Sequence, residues 1–300
     1  MIERVLVAGA GAMGSQIAMV SALAGCSVTL YDLDPGMLDR SLRQLRERMS
    51  SQVAKGRRTE EDVLAAFGRL ATTTDLAPAQ VAGVDLVIEA IVERLPAKRE
   101  LFTTLDGLCA PHVILASNSS SFVPSSMASA TSRPDRFVNL HFFNPALVMR
   151  AVEVVRGPQT SDETAATAVA FVTRLGKEPV VLDREVPGFV ANRLLNAVRD
   201  EALRLLEGGY ADVEAIDTAA THALGYPMGP FELMDLTGID IGYHVKTARF
   251  EETGDPADAP AATVVALVDR GHLGRKTGRG FYHYDEAGHR LGSALQEGDD

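Results

Sequence analysis

The chain has 300 residues, of which 46% are hydrophobic and 23% charged, and its formal net charge is −11. Such a chain can bury one sizeable core and a smaller second unit, so we expect two globular domains. The acidic balance argues against a nucleic-acid partner, because phosphate backbones are bound mainly by Lys and Arg. The two cysteines stand outside any CxxC or Cys/His spacing. We therefore expect no structural metal and a reducing compartment, the cytoplasm.

The N-terminal segment, residues 1–25, is apolar enough to be compared with a signal peptide. Glu3 is acidic where a signal peptide is basic, and glycines at positions 9, 11 and 14 interrupt the apolar run. We interpret this segment as folded protein. No stretch offers ~18 uninterrupted apolar residues, so we expect no membrane-spanning segment.

A glycine-rich turn, GAGAMG at 9–14, lies between a predicted strand at 4–8 and a helical pattern that ends at Gly25. In a dinucleotide-binding turn the first glycine allows a tight bend, the second lets the backbone approach a pyrophosphate, and the third packs helix on strand. A second strand, 27–31, leads to Asp32, which is suited to accept hydrogen bonds from the adenosine ribose. With no arginine directly after this acid, the pattern favours NAD over NADP.

Strands and helices continue to alternate after this turn. We predict further strands at 85–89, 112–116, 137–141 and 151–155, with helices that include 94–109 and 162–175. This alternation is typical of an α/β fold with an open, Rossmann-like, mostly parallel sheet. We assign residues 1–185 to this NAD-binding domain.

His141 and Asn118 fall at the carboxyl ends of predicted strands, where ligands of such sheets gather. A histidine there can be a buried hydrogen-bonding residue or a group that moves a proton, and its position favours the second function. Glu153 is a lone carboxylate in an apolar strand. Burying an unpaired carboxylate is costly, so the residues alone suggest a partner such as an arginine.

A basic helical arm at about 36–69 interrupts the domain. Within it, residues 39–58 carry seven Lys or Arg and two acids in a chain that is otherwise acidic. The segment is either a solvated helical face or a site that receives a phosphorylated substrate.

The second half, residues 186–300, is predicted to be an all-helical domain for substrate binding and dimerisation. Helical patterns run from the PGFVANRLL segment at 187–195 to Glu207, and through 212–224, 231–250 and 259–271. Residues 273–284, LGRKTGRGFYHY, are interpreted as a basic loop folded towards the cofactor. We expect a homodimer formed through these helices.

Five motifs in order carry a resemblance to a known family: GAGAMG, ASNSSS, HFFNP, PGFVANRLL and LGRKTGRGFYHY. The sequence resembles L-3-hydroxyacyl-CoA dehydrogenases of the short bacterial 3-hydroxybutyryl-CoA dehydrogenase type, over almost its whole length. It departs from the family pattern at Ser119 in place of threonine, Ser51 in place of lysine, and Tyr226 in place of histidine.

The resemblance implies roles for individual residues. His141 is the acid/base and Glu153 its partner, while Ser120 and Asn192 are catalytic residues that hydrogen-bond a substrate oxygen. Coenzyme A contacts fall near Ser51 and Lys55. The implied cofactor-binding residues are Gly9, Gly11, Ala12, Met13, Gly14, Asp32, Glu93, Lys98, Asn118, Asn144 and Lys276.

The resemblance also implies the reaction, namely reversible NAD-dependent oxidation of an L-3-hydroxyacyl-CoA to the 3-ketoacyl-CoA. A neutral imidazole is suited to take the hydroxyl proton, since its ordinary pKa of about 6.5 lies near working pH. Two alternatives stay open. One is the same scaffold acting on a free hydroxy acid or a ring alcohol, and the other is an NAD-binding protein without turnover.

Overall fold

The computed structural model describes residues 1–295, and the chain divides into two compact units, Met1–Val190 and one that begins at Ala191. The elements of the first unit are, in chain order, β1 (Arg4–Ala8), α1 (Ala12–Leu23), β2 (Ser27–Tyr31), α2 (Pro35–Ala54), α3 (Glu60–Gly68), β3 (Leu70–Thr73), α4 (Pro78–Val81), β4 (Leu86–Glu89), α5 (Leu95–Leu108), β5 (Ile114–Ser117), α6 (Pro124–Ala128), β6 (Phe137–Phe142), β7 (Ala151–Arg156), α7 (Asp162–Arg174) and β8 (Glu178–Leu182).

The strands form one eight-stranded sheet in the order β3-β2-β1-β4-β5-β6-β7-β8. The first six strands in this order are parallel to one another, and β7 runs antiparallel to β6. The chain order reverses between β1 and β4, which is the point where open α/β sheets bind dinucleotides. The predicted Rossmann-like, mostly parallel sheet is confirmed.

The sequence analysis did not predict two strands of this sheet, β3 and β8. β3 reads LATT, is partly exposed and lies at the edge of the sheet, so it lacks the continuous apolar run of a buried strand. β8 reads EPVVL, contains a proline and lies at the other edge. The central strands were predictable because every residue of β4 and β5 is buried.

The basic arm is α2 followed by α3. Its buried residues, Leu38, Ser41, Leu45 and Met49, recur every three or four positions and form one face of α2. The basic side chains project from the other faces and are exposed: Arg40, Arg43, Arg46, Arg48, Lys55, Arg57 and Arg58.

The second unit is mainly helical and closes around its own apolar core. Its elements are α8 (Ala191–Glu207), α9 (Val213–Thr218), α10 (Pro230–Thr237), α11 (Ile239–Thr253), α12 (Ala262–Asp269), β9 (Tyr282–Tyr284) and β10 (Arg290–Ser293). The last two form an antiparallel hairpin that the sequence did not predict. Gly238, with φ +97°, separates α10 from α11 where one continuous helix was predicted. Within residues 1–295, every helix is too short or too polar to cross a lipid bilayer.

Candidate active site

The glycine turn between β1 and α1 allows close backbone contacts that a side chain would prevent. Gly9 has φ +108°, and a Cβ there would lie 2.5 Å from the Ala90 carbonyl oxygen. A Cβ at Gly14 would lie 1.8 Å from the Gly9 oxygen, whereas one at Gly11 would point into open space. The first and third glycines therefore pack the turn, and the second leaves open space beside the backbone.

The N-terminus of α1 begins at this turn and has the properties of a phosphate site. Gly11 caps the helix without a side-chain hydrogen bond, so the first amide groups are not satisfied by a capping side chain. Asp32 follows β2, and its Oδ2 accepts a hydrogen bond from the Ala10 amide at 2.7 Å. These groups fit a dinucleotide whose pyrophosphate lies on the helix and whose ribose lies near Asp32.

His141 and Glu153 form a buried hydrogen-bonded pair. The two residues are direct partners in the antiparallel register of β6 and β7, so their side chains project from the same face of the sheet. His141 Nδ1 lies 2.7 Å from Glu153 Oε2, and the side chains are 7% and 1% exposed. Of the two possibilities that the sequence left open for Glu153, pairing with His141 is the one observed. With Nδ1 engaged, Nε2 is the nitrogen that can exchange a proton with a substrate.

The segment before α8 covers this pair. The sequence suggested that the helical pattern begins at Pro187, but the helix begins at Ala191. Phe189 has φ +48°, a conformation that costs a non-glycine residue about 1 kcal/mol or more. Its ring centroid lies 5.5 Å from that of His141, and the next amide, Val190 N–H, donates to Glu153 Oε1 at 2.9 Å. The strained turn thus holds both the imidazole and its carboxylate.

The loop after β5 carries Asn118 and Ser120. Asn118 Oδ1 accepts a hydrogen bond from the Phe142 amide at 2.9 Å, which ties the loop to the strand of His141. Ser120 lies two residues further along and is partly buried. Ser119 stands where the family pattern has threonine, and its hydroxyl donates a hydrogen bond to Glu93 Oε1.

A buried lysine joins two carboxylates at the end of β4. Lys98 Nζ lies 2.6 Å from Glu89 Oε1 and 3.0 Å from Glu93 Oε2. Burial opposes ionisation of Glu93, but the Ser119 hydroxyl and the Lys98 ammonium outweigh it and lower the pKa of that carboxyl. Glu93 and Lys98 were predicted near the cofactor. Glu89 was not, although a carboxylate at the end of an apolar strand was the signal available.

The loop that joins β6 to β7 carries Asn144, whose side chain is exposed. Lys177 is hydrogen-bonded to this loop. Its Nζ donates to the carbonyl oxygens of Ala146 and Met149 at 2.7 and 2.6 Å. Lys177 is 8% exposed, and burial lowers the pKa of its ammonium. The sequence analysis assigned no role to Lys177.

The remaining predicted site residues lie elsewhere. Ser51 is on the exposed side of α2 near its C-terminus, and Lys55 directly follows that helix. In the second unit, Asn192 is the second residue of α8, and Lys276 lies in a short turn where Nζ is 2.6 Å from Asp240 Oδ1. In residues 1–295, no three His, Cys, Asp or Glu side chains are grouped as metal ligands would be.

Comparison with known proteins agrees with this arrangement. Residues 4–186 match the family model of the 3-hydroxyacyl-CoA dehydrogenase NAD binding domain, and residues 188–284 match that of the 3-hydroxyacyl-CoA dehydrogenase C-terminal domain.

Individual relatives match over nearly their whole length. The chain is 41% identical to a probable 3-hydroxybutyryl-CoA dehydrogenase of Bacillus subtilis, over 95% of this chain and 98% of the relative. It is 43% identical to the mitochondrial hydroxyacyl-coenzyme A dehydrogenase of Homo sapiens, over 94% and 91%. The crystal structure of (S)-3-hydroxybutyryl-CoA dehydrogenase PaaH1 from Ralstonia eutropha superposes with a TM-score of 0.87 at 37% identity, over 95% and 100%.

These matches confirm the predicted family, its NAD cofactor and its reaction class. The chain belongs to the 3-hydroxyacyl-CoA dehydrogenase family and is an NAD-dependent oxidoreductase.

Proposed function

We propose that this enzyme interconverts a short-chain L-3-hydroxyacyl-CoA, such as 3-hydroxybutyryl-CoA, and the corresponding 3-ketoacyl-CoA. The observation that carries this proposal is the His141–Glu153 pair, joined at 2.7 Å near the carboxyl end of the sheet that bears the glycine turn. The substrate class comes from the names of the relatives.

His141 acts as the general base in the direction of oxidation. Glu153 accepts a hydrogen bond from the Nδ1–H group, which fixes the tautomer and leaves the Nε2 lone pair to take the substrate hydroxyl proton. The imidazolium that forms is stabilised by the same carboxylate. NAD, when bound, supplies the two-electron oxidant. General-base assistance is worth about 10²–10⁴ in rate, so loss of His141 should nearly abolish turnover.

Ser120 and Asn192 are proposed to hydrogen-bond the substrate oxygen and so favour the developing carbonyl. Ser120 belongs to a loop tied to the strand of His141 through Asn118, which supports a fixed position for its hydroxyl. Asn192 is proposed from the match of PGFVANR to the family pattern.

The cofactor residues are proposed from the turn geometry and the family pattern together. Gly9, Gly11, Ala12, Met13 and Gly14 form the phosphate turn, and Asp32 takes the adenosine ribose. Nearer the nicotinamide half we propose Glu93, Lys98, Asn118, Asn144 and Lys276.

Coenzyme A binding is proposed on the basic arm. The exposed Arg and Lys side chains of α2 and of the turn after it form a positive surface in a chain of net charge −11. Such a surface attracts the phosphates of coenzyme A, and Ser51 and Lys55 lie on it. Coenzyme A carries several phosphate charges and a free hydroxy acid only one carboxylate, so a positive surface of this extent suits the thioester better.

A homodimer and a cytoplasmic location complete the proposal. Exposed apolar side chains on helices of the second unit, Leu194, Leu236, Ile241 and Val245, support self-association. Both cysteines are free buried thiols, which suits a reducing compartment. Sedimentation velocity of the purified chain would test the dimer, and a monomer across the micromolar range would refute it.

The decisive experiment follows NADH oxidation at 340 nm with acetoacetyl-CoA and, separately, with free acetoacetate. We expect turnover of the thioester and little of the free acid, and we expect His141→Ala to lose at least 10²-fold in kcat while still binding NADH. Turnover of the free acid alone would select the alternative substrate class. Near-normal turnover by the His141 variant would refute the base assignment.

A further inference from the structure

Three charged side chains, Glu89, Lys98 and Glu93, form a cluster at the end of β4 that we term the β4 triad. Glu89 is fully buried and accepts hydrogen bonds from the Ile91 amide at 2.8 Å, the Lys98 ammonium at 2.6 Å and the Ser117 hydroxyl at 2.6 Å. Both of its oxygens act as acceptors in these contacts, and all three partners are donors. Glu93 is ionised, because the pKa of its carboxyl is lowered. Two carboxylates and one ammonium leave the triad with a net charge of −1.

The β4 triad lies beside the glycine turn. Glu89 pairs with Ala8, the last residue of β1, and the next residue, Ala90, contacts the turn at Gly9 so closely that a Cβ would not fit. Asp32, the candidate ribose residue, follows β2 on the opposite side of β1. A dinucleotide that crosses this turn with its adenosine over β2 must therefore extend its nicotinamide half over the ends of β4, β5 and β6.

The two oxidation states of the cofactor differ in charge at the nicotinamide ring, which is positive in NAD⁺ and neutral in NADH. A fixed negative charge near the ring stabilises the oxidised form selectively, and burial reduces the screening of that charge by water and salt. Lys98 is 1% exposed and Glu89 is 0% exposed, so water screens the charge of Glu89 weakly, whereas Glu93 is 39% exposed and its charge is screened more.

We propose that the β4 triad biases dinucleotide binding towards NAD⁺, and that Glu89 is the positioning residue that sets its charge. Without Glu89, Lys98 would pair with Glu93 alone and the net charge would be zero. Glu89 also places Lys98 and, through Ser117, the serine loop whose Ser119 amide donates to the Ser117 hydroxyl at 3.1 Å. The inference rests on the proposed placement of the nicotinamide half and does not depend on which substrate is oxidised.

The test is the ratio of the two dissociation constants, Kd(NADH)/Kd(NAD⁺), measured without substrate. NADH binding is followed by its fluorescence, and NAD⁺ binding by displacement of NADH. Glu89→Gln should lower the ratio by about tenfold, the effect expected when one buried charge near the ring is removed. Glu93→Gln, which also brings the triad to zero, should lower the ratio by a smaller factor, because the Glu93 side chain is 39% exposed and water screens its charge.

The double variant Glu89→Gln/Lys98→Met separates charge from shape. It leaves Glu93 as the one charge of the triad, so the net charge returns to −1, and it removes both members of a buried ion pair together, which is better tolerated than removing one. Because Lys98 is itself proposed to bind the cofactor, both dissociation constants should rise together, and we expect their ratio to lie within about twofold of the wild-type value. Ser117→Ala removes a hydroxyl bonded to Glu89 without changing any charge, and it should also leave the ratio unchanged.

The inference is wrong if both single variants keep the wild-type ratio, or if the double variant has the same altered ratio as Glu89→Gln. Should Glu89→Gln fail to fold, Glu93→Gln and the double variant still decide between these outcomes. Because no substrate is present, a failed acyl-CoA assignment leaves this test intact. A wild-type chain that binds neither dinucleotide would instead overturn the proposed function itself.

Discussion

Replacing Glu153 with glutamine removes one buried negative charge beside the imidazole and leaves the shape of the side chain nearly unchanged. Once His141 takes a proton, the imidazolium and the carboxylate attract each other over about 4 Å, which is worth about 4 kcal/mol at an effective permittivity near 20. A neutral amide at the same place retains about 1 kcal/mol as an ordinary hydrogen bond. The difference of about 3 kcal/mol predicts a fall in kcat of about 10²-fold.

The loss is larger if the new amide turns its NH₂ group towards Nδ1. His141 would then carry its proton on Nε2, the nitrogen that must accept one, and the fall could approach ~10⁴-fold. The assay is steady-state NADH oxidation with acetoacetyl-CoA, with NADH binding measured in parallel. Glu178→Gln is the matched control, because Glu178 is an exposed carboxylate paired with Arg150 on the surface. A Glu153→Gln variant within threefold of wild-type kcat would refute the reasoning.

Three further predictions concern the surroundings of the site. Gly14→Ala should lower the melting temperature and weaken NADH binding at least tenfold, because a Cβ would lie 1.8 Å from a turn carbonyl oxygen; unchanged NADH binding would contradict this. Lys177→Met should raise KM for NADH severalfold by loosening the loop of Asn144, and Lys177→Arg should recover part of the loss; equal KM values in all three proteins would count against a positioning role. Burial raises the pKa of Cys109 to about 11, and Cys26 is also buried. A thiol-specific reagent at pH 8 should therefore modify neither until the protein is denatured, and rapid reaction of the native protein would show that burial is not protective.

The first half of the sheet was predictable because the residue types of each strand directly reflect its burial. Fully buried parallel strands are continuous apolar runs, and the glycine spacing at 9–14 has one dominant structural explanation. Asp32 and the end of each central strand followed from the same pattern. The positions of His141 and Asn118 at strand ends were inferred this way, and the register of β6 and β7 agrees with the predicted pairing of His141 with Glu153.

Other features of the site depend on contacts between residues far apart in the chain. Lys98, a residue of α5, forms ion pairs with Glu89 and Glu93 at the end of β4. The hydrophobic periodicity of the sequence does not indicate these contacts. Phe189, which has a left-handed backbone conformation, was predicted to be helical. The local pattern does not show that the next amide, Val190 N–H, donates a hydrogen bond to Glu153. Lys177 follows a helix, and no sequence pattern showed that its ammonium contacts two carbonyl oxygens of a distant loop. Each was hidden because tertiary contacts override local preference.

The antiparallel turn between β6 and β7 has a consequence for how this family can vary. Side chains alternate between the two faces of a strand, so adding or deleting a single residue within β7 before Glu153 would move that carboxylate to the far side of the sheet. We therefore expect length changes to be tolerated in the loop between the two strands, and not within the paired segment. The pairing thus fixes which strand positions the base and the carboxylate occupy, and not the number of loop residues between them.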